Sequence, residues 1–357
     1  MKVNANIRHA LRVSIAVAAA AAAGFVTLQG RTPQTSQVNI KVATLAPQGT
    51  PWYQIIQDMG EKWRKASGGK IALSIYPGGT LGDEAAMINA MRRGGPTQGI
   101  KVAAVTTIGL ETIARECSAL SIPLLFQSNE ELDYVMDHIR PRLEKAIEDK
   151  GFVVLNWGDA GWVRIFTKKP APTIGDLKQM TIFTSTGDPR TKALYEEAGF
   201  KAKQTPVSEV LTQLTTGALE AVPAPPLFAY ANQWFGVARN MIDIRFGVLV
   251  GATIIRKDTW DLFEPSLRET LLKDAHAAGD RLKADIRKMD DDAIESMKKN
   301  ARSPLNVIKL TPQAQKEWQE TAEKFYAKIR GTIVEPAEFD EVMSLVKEFR
   351  AQKAQKK

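Results

Sequence analysis

Cysteine occurs once in the 357 residues, at Cys117, so no disulfide can form within the chain. It sits in A-R-E-C-S-A-L-S-I-P, among small and apolar residues, and reads as a buried structural thiol. Histidine is nearly as scarce. His9, His138 and His276 stand apart, and neither H-E-x-x-H nor C-x-x-C occurs, so no metal and no cofactor is expected. The chain has no G-x-S-x-G nucleophile elbow and no G-x-x-x-x-G-K-[ST] phosphate loop. Gly78-Gly79 and Gly94-Gly95 read as turns. The carboxylate pairs Asp83–Glu84 and Glu196–Glu197 are adjacent on helical stretches and point apart, which leaves acid–base chemistry without a constellation. The expectation is a protein that is not an enzyme.

Net positive charge is also less than it looks. The formal charge is +8, but Lys2, Arg8, Arg12 and Arg31 lie in a first stretch of 31 residues without an acid. Lys353, Lys356 and Lys357 crowd the last five positions, so the body is near balance. No basic patch with interleaved aromatics is present, which argues against nucleic acid as a partner. Residues 1–23 read as a signal peptide: a basic start, an apolar Val13–Ala22 core and a run of alanines before a cut. The apolar core is short for a membrane span. Residues 24–37 read as a polar linker, and the mature protein is expected in the periplasm, anchored only where the signal stays uncleaved.

From residue 38 onward, strand and helix patterns alternate. Val38–Leu45 and Ile71–Tyr76 read as strands, and Trp52, Ile55, Ile56, Met59 and Trp63 recur at helical spacing between them. Thr50 caps that helix, with Pro51 at its first position. This order predicts an α/β fold. Residues 38–161 and 250–357 are assigned to a first lobe and 162–249 to a second, with Gly158, Asp159 and Gly161 as the crossing. Residues 266–300 form the longest helical stretch, ~50 Å at 1.5 Å per residue, long enough to lie across both lobes.

The stretch 170–230 carries most of the functional signal. Met180–Thr184 is a short buried strand; Gly187-Asp188-Pro189 opens a helix; Ser208 caps another that stops at Gly217; Ala218–Val222 is a further strand, ended by Pro223, Pro225 and Pro226. Ligands of open parallel sheets sit beyond the strand C-termini. Within this stretch, L-K-x-M-x-I (177–182), V-S-E-V (207–210) and G-A-L-E-A (217–221) resemble the extracytoplasmic solute-binding subunits of tripartite (TRAP, DctP-type) transporters. The likeness extends through I-Y-P-G-G-T-L-G-D-E (75–84) to I-I-R-K-D-T-W-D (254–261). It implies a two-lobe periplasmic-binding-protein fold with a hinge and a long back-spanning helix. It also implies a small-molecule ligand delivered to TRAP membrane subunits.

In that family an Arg of a K-I-R-V strand holds a ligand carboxylate. Phe183 stands at that place here, Ala224 replaces the usual Asn, and Val163 occupies the register of a second Arg, with Arg164 one step off. A subgroup with Trp or Phe at the strand position resembles this chain better; it is proposed to bind hydrophobic ligands with a tetratricopeptide-repeat periplasmic partner. The expected cleft lining is therefore apolar: Trp52, Trp157, Trp162, Phe183, Ala224, Phe228, Tyr230 and Trp234, with Thr107 and Thr184 at strand ends. Two alternatives stay open. One is a carboxylate binder using Arg164 or Arg190; the other is a periplasmic scaffold or chaperone that carries no solute.

Overall fold

A computed structural model describes residues 38–95 and 99–355; the signal and linker expected over 1–37 lie outside the described residues. The strands are β1 (Val38–Thr44), β2 (Ile71–Tyr76), β3 (Ile100–Thr106), β4 (Phe152–Thr167), β5 (Thr181–Ser185), β6 (Lys201–Thr205), β7 (Ala221–Ala224), β8 (Asn240–Arg256) and β9 (Asn306–Ile308). The helices are α1 (Pro51–Ala66), α2 (Glu84–Arg93), α3 (Thr107–Glu111), α4 (Asn129–Glu148), α5 (Ile174–Lys178), α6 (Pro189–Glu197), α7 (Val210–Thr216), α8 (Pro226–Ala231), α9 (Lys257–Trp260), α10 (Pro265–Lys298), α11 (Pro312–Thr332) and α12 (Pro336–Gln355).

The strands form one sheet in the order β2-β1-β3-β8-β4-β7-β5-β6, with β9 on β8. Parallel β1, β2 and β3 build the first lobe and parallel β5, β6 and β7 the second. Antiparallel β4 and β8 run through both lobes and pair from Phe152↔Arg256 to Thr167↔Asn240. The crossing expected at Gly158, Asp159 and Gly161 is thus part of one continuous strand. The glycines do not end it, because β8 keeps its hydrogen-bonding partner across the crossing, and the irregularity is absorbed as register shifts, one of them at Asp159/Gly161.

Local signals behave as the residues dictate. Thr50 accepts from Tyr53 N, Asp188 caps α6 by accepting from Thr191 N, and Gly217 ends α7 at φ +80°. Ser208 does not cap α7: it lies inside a 3₁₀ turn (Val207–Glu209), and the helix starts at Val210 without a side-chain cap. Tyr230 and Trp234 do not share a helix face, because α8 stops at Ala231 and Gln233 turns left-handed at φ +59°.

α10 crosses the molecule as expected. Leu271 and Ala275 pack with Trp63 and Trp260 of the first lobe, and Met297 with Phe235 and Met241 of the second. Its middle lies against β4, and glycine permits the approach: a Cβ on Gly279 would stand 2.5 Å from the Trp157 carbonyl, and one on Gly158 2.9 Å from Leu282 Cδ2. The C-terminal elements do not all return to the first lobe. β9 pairs with the second-lobe end of β8, and Trp318 of α11 packs with Ile165 and Ile182, whereas Ile329 and α12 join the first-lobe core.

Gly279→Ala is expected to destabilise the fold by about 1–3 kcal/mol, as overpacking against unyielding backbone does. Gly175→Ala, whose nearest neighbour would be the Thr173 hydroxyl at 3.6 Å, serves as the neutral comparison. Urea denaturation midpoints of the two variants check this; equal midpoints would mean that α10 can shift away from β4.

Candidate functional site

Between the lobes lies a cavity of about 310 Å³. Strand ends supply its floor: Thr44 of β1, Ala104–Thr106 of β3, Phe183–Ser185 of β5, Pro223 and Ala224 of β7. The β4–β8 crossing adds Gly158, Asp159, Val163 and Gly251–Thr253, while α1, α6 and α10 contribute Trp52, Tyr195 and Leu282.

Of the residues expected in the cleft, Trp52, Thr107, Phe183, Thr184, Ala224, Phe228 and Trp234 line this cavity. Four of them form a chain of ring contacts: Trp52 meets Phe228 at 6.0 Å, Phe228 meets Trp234 edge-on at 5.3 Å, and Trp234 meets Phe183 at 6.3 Å. Such edge and offset geometries suit the ring quadrupoles. The Trp52 indole N–H donates to the Asp159 carbonyl at 3.3 Å, which fixes one end of the chain.

Trp157, Trp162 and Tyr230 are placed elsewhere. The Trp157 indole donates to Glu144 Oε1 at 2.9 Å on α4. Trp162 is buried in the first-lobe core; its indole donates to Asn129 Oδ1 at 2.8 Å, and Arg245 lies over its ring. Each indole needs an acceptor when buried, and each finds it away from the cavity. Tyr230 is an exposed ring stacked on Phe235.

Neither candidate Arg lines the cavity. Val163 lines it, whereas Arg164 is buried with Nε 3.4 Å from Asp243 Oδ1. Arg190, at the start of α6, donates from Nη2 to Glu111 Oε2 at 2.7 Å. That pair joins the second lobe to α3 of the first. Beside it, the Thr186 hydroxyl donates to the carboxylate of Asp83, so the β5–α6 turn is clasped to the opposite lobe.

Among the polar residues that the sequence reading did not place in the cleft are four acids. Glu84, Glu111, Asp159 and Asp188 line the cavity, and among the described residues no Lys, Arg or His does. Glu84 accepts from Thr106 N at 2.8 Å, Thr106 Oγ1 at 2.7 Å and Gly109 N at 2.9 Å, which ties α2 to the start of α3. Burial nonetheless raises its pKa, as it does for Asp159 despite the Arg287 guanidinium at 2.7 Å. Burial, with Asp188 alongside, pushes Glu111 up to about 8 against the pull of Arg190. Asn156 also lines the cavity; a lone amide in the apolar run F-V-V-L-N-W was its available signal. Among the described residues no group of side chains could hold a metal ion, and no helix is long and apolar enough to cross a membrane.

Because Glu111 titrates higher when buried than the usual 4.5, its contribution to the fold is full below about 4.5 and is lost as pH rises through about 8. Glu111→Gln, neutral throughout, is expected to melt with the parent at pH 5 and above it at pH 8. A gap in melting temperature that does not grow over this interval would contradict the assignment.

Comparison with known proteins gives a consistent result. The DctP family, bacterial extracellular solute-binding proteins of family 7, matches residues 42–332. The chain is similar to the 2,3-diketo-L-gulonate-binding periplasmic protein YiaO of Escherichia coli, at 25% identity over 232 residues, 64% of this chain and 69% of that protein. Its fold is similar to a TRAP periplasmic solute binding protein of Ralstonia eutropha H16 solved with (S)-2-acetolactate, with a TM-score of 0.79, 20% identity, and coverage of 87% of this chain and 99% of that one. A TRAP periplasmic solute binding protein of Sulfurospirillum deleyianum solved with succinate matches at a TM-score of 0.78, 20% identity, and 87% and 99% coverage.

Proposed function

From the premise that this chain belongs to the DctP family of extracellular solute-binding proteins, a transport component and not an enzyme, we propose that its ligand is uncharged and largely apolar. As a TRAP periplasmic solute-binding protein it binds a small molecule and works with membrane subunits. Under this reading the first lobe (38–161 and 250–357, apart from β9 and the start of α11) and the second (162–249) close on a hydrophobic or amphipathic solute. A tetratricopeptide-repeat partner belongs to the same proposal, and rests on the resemblance alone.

One observation carries it: the cavity holds a connected set of aromatic rings, four acids and no basic side chain. The two named structures were solved with carboxylates, (S)-2-acetolactate and succinate. A carboxylate placed here would lose its hydration beside Phe183 without a counter-charge. Arg190 could serve a carboxylate only by giving up its hydrogen bond to Glu111, which joins the two lobes. A neutral solute meets no such cost. Burying ~200 Å² of its apolar surface supplies about 5 kcal/mol at ~25 cal/mol per Å². Micromolar binding takes about 8 kcal/mol, so a polar contact must supply part of the rest.

Native mass spectrometry of the protein from its own periplasm, followed by organic extraction, tests the reading. A neutral apolar compound is expected with the parent and is expected to be lost in Phe183→Asp. Recovery of a small organic acid instead would overturn it.

A further inference from the structure

α6 differs from the other helices of the cavity wall. Thr191, Leu194 and Tyr195 line the cavity, as does the N-cap Asp188, yet none of the nine residues of α6 is buried. The other α-helices on the wall, α1, α2, α3, α8, α10 and α11, each carry buried residues. The apolar seat of α6 consists of two half-buried side chains: Leu194 against the first-lobe core, and Tyr195, whose ring lies 6.5 Å from that of Phe246. Glycine stands beyond both of its ends, Gly187 in the turn from β5 and Gly199 at φ +83° in the turn to β6. β6 is the last strand of the sheet and pairs only with β5. What holds this segment in place is the opposite lobe. The Thr186 hydroxyl donates to Asp83, Arg190 Nη2 donates to Glu111 Oε2 at 2.7 Å, and Lys328, next to Ile329 of the first-lobe core, pairs with Glu197 at the end of α6. Side-chain contacts of this kind, between groups that water can reach, are individually weak.

We propose that α6 is the door of the cavity: the ligand enters and leaves by displacement of this helix on Gly187 and Gly199, and the three polar contacts to the first lobe latch it shut. The motion lies within the second lobe and is separate from bending at the β4–β8 crossing. It applies to any solute the cavity takes, so it does not depend on the ligand being neutral. A helix without buried residues can leave the wall while the strand ends and the ring chain stay packed. The caps on either side survive the release, because Asp83 still accepts from Ala86 N at 2.9 Å and Asp188 from Thr191 N at 3.0 Å.

A bolt across the door tests this. A Cβ on Gly187 would stand 3.1 Å from the Ala85 Cβ of α2, slightly less than a disulfide spans, so Ala85→Cys with Gly187→Cys can join the two elements. Cys117 is buried and stays out of the reaction. Release of N-phenyl-1-naphthylamine, a neutral fluorescent probe, and of 2-naphthoate, an anionic one, is followed in the oxidised and reduced states of this one protein. Whichever probe binds is expected to be retained in the oxidised state and freed on reduction. Equal release in both states, or failure of the two thiols to join, overturns the door. If 2-naphthoate alone binds, the neutral reading of the cavity falls and the door is judged on that probe. A second measurement needs no ligand. Spin labels on Ala193→Cys and Thr216→Cys, both exposed and both in the second lobe, report the distance from α6 to α7. Adding Thr186→Val and Arg190→Gln is expected to raise the fraction of molecules with a displaced α6 about fivefold to tenfold, the net worth of one hydrogen bond. An unchanged distance would mean that α6 moves only with its whole lobe, and would overturn the proposal.

Discussion

The antiparallel pairing of β4 with β8 is the contact on which the rest of the molecule depends. Each strand serves both lobes, so the two parallel sheets are edges added to one shared pair. That pair sets where every cavity residue sits. It carries Asn156, Asp159, Val163 and Thr253 itself, and it fixes β3 and β7, whose ends deliver Thr106 and Ala224. α10 packs directly on the pair, and it comes close enough only because Gly158 and Gly279 carry no side chain. A crossing with paired backbone can bend at its register shifts without losing its hydrogen bonds, which is what a hinge between two lobes requires.

The acids of the cavity are occupied by the fold. Glu84 spends its oxygens on Thr106 and Gly109, Asp159 faces Arg287, Asp188 caps α6, and Glu111 meets Arg190 across the lobes. Each ties one wall element to another, so the carboxylates build the container and leave its contents to the aromatic rings. This also explains how a cavity with so many acids can suit an uncharged ligand. Their charge is either balanced by a specific partner or suppressed by burial, as for Glu111. What remains is a wall that offers an anion no counter-charge.

Much of this was legible in the sequence because it depends on short-range chemistry. The alternation of strands and helices, the caps at Thr50 and Asp188, the stop at Gly217 and the long α10 all follow from local residue types. The place of Phe183 at a strand end was legible too, through its motif. What escaped depends on partners remote in the chain. Trp157 and Trp162 look like cleft aromatics beside a glycine-rich crossing, but Glu144 and Asn129 draw their indoles away. Gly158 and Gly161 look like breaks, until β8 is known to run alongside. The assignment of 250–357 to one lobe misses β9, whose three residues follow the edge of β8 into the other.

The position of Arg164 shows how firmly the cavity's character is set. Arg164 does not line the cavity: it is buried, its Nε 3.4 Å from Asp243 Oδ1. Its neighbours Ile165 and Phe166 are fully buried in two different clusters. Each of those side chains is worth about 1.5–3 kcal/mol when buried, which holds this stretch of β4 in place. Arg190 and Arg287 stand behind the wall, and Glu111 and Asp159 already use them. The absence of a cation from the wall is thus a property of the packing, and a neutral ligand is the kind this packing can accept without being rebuilt.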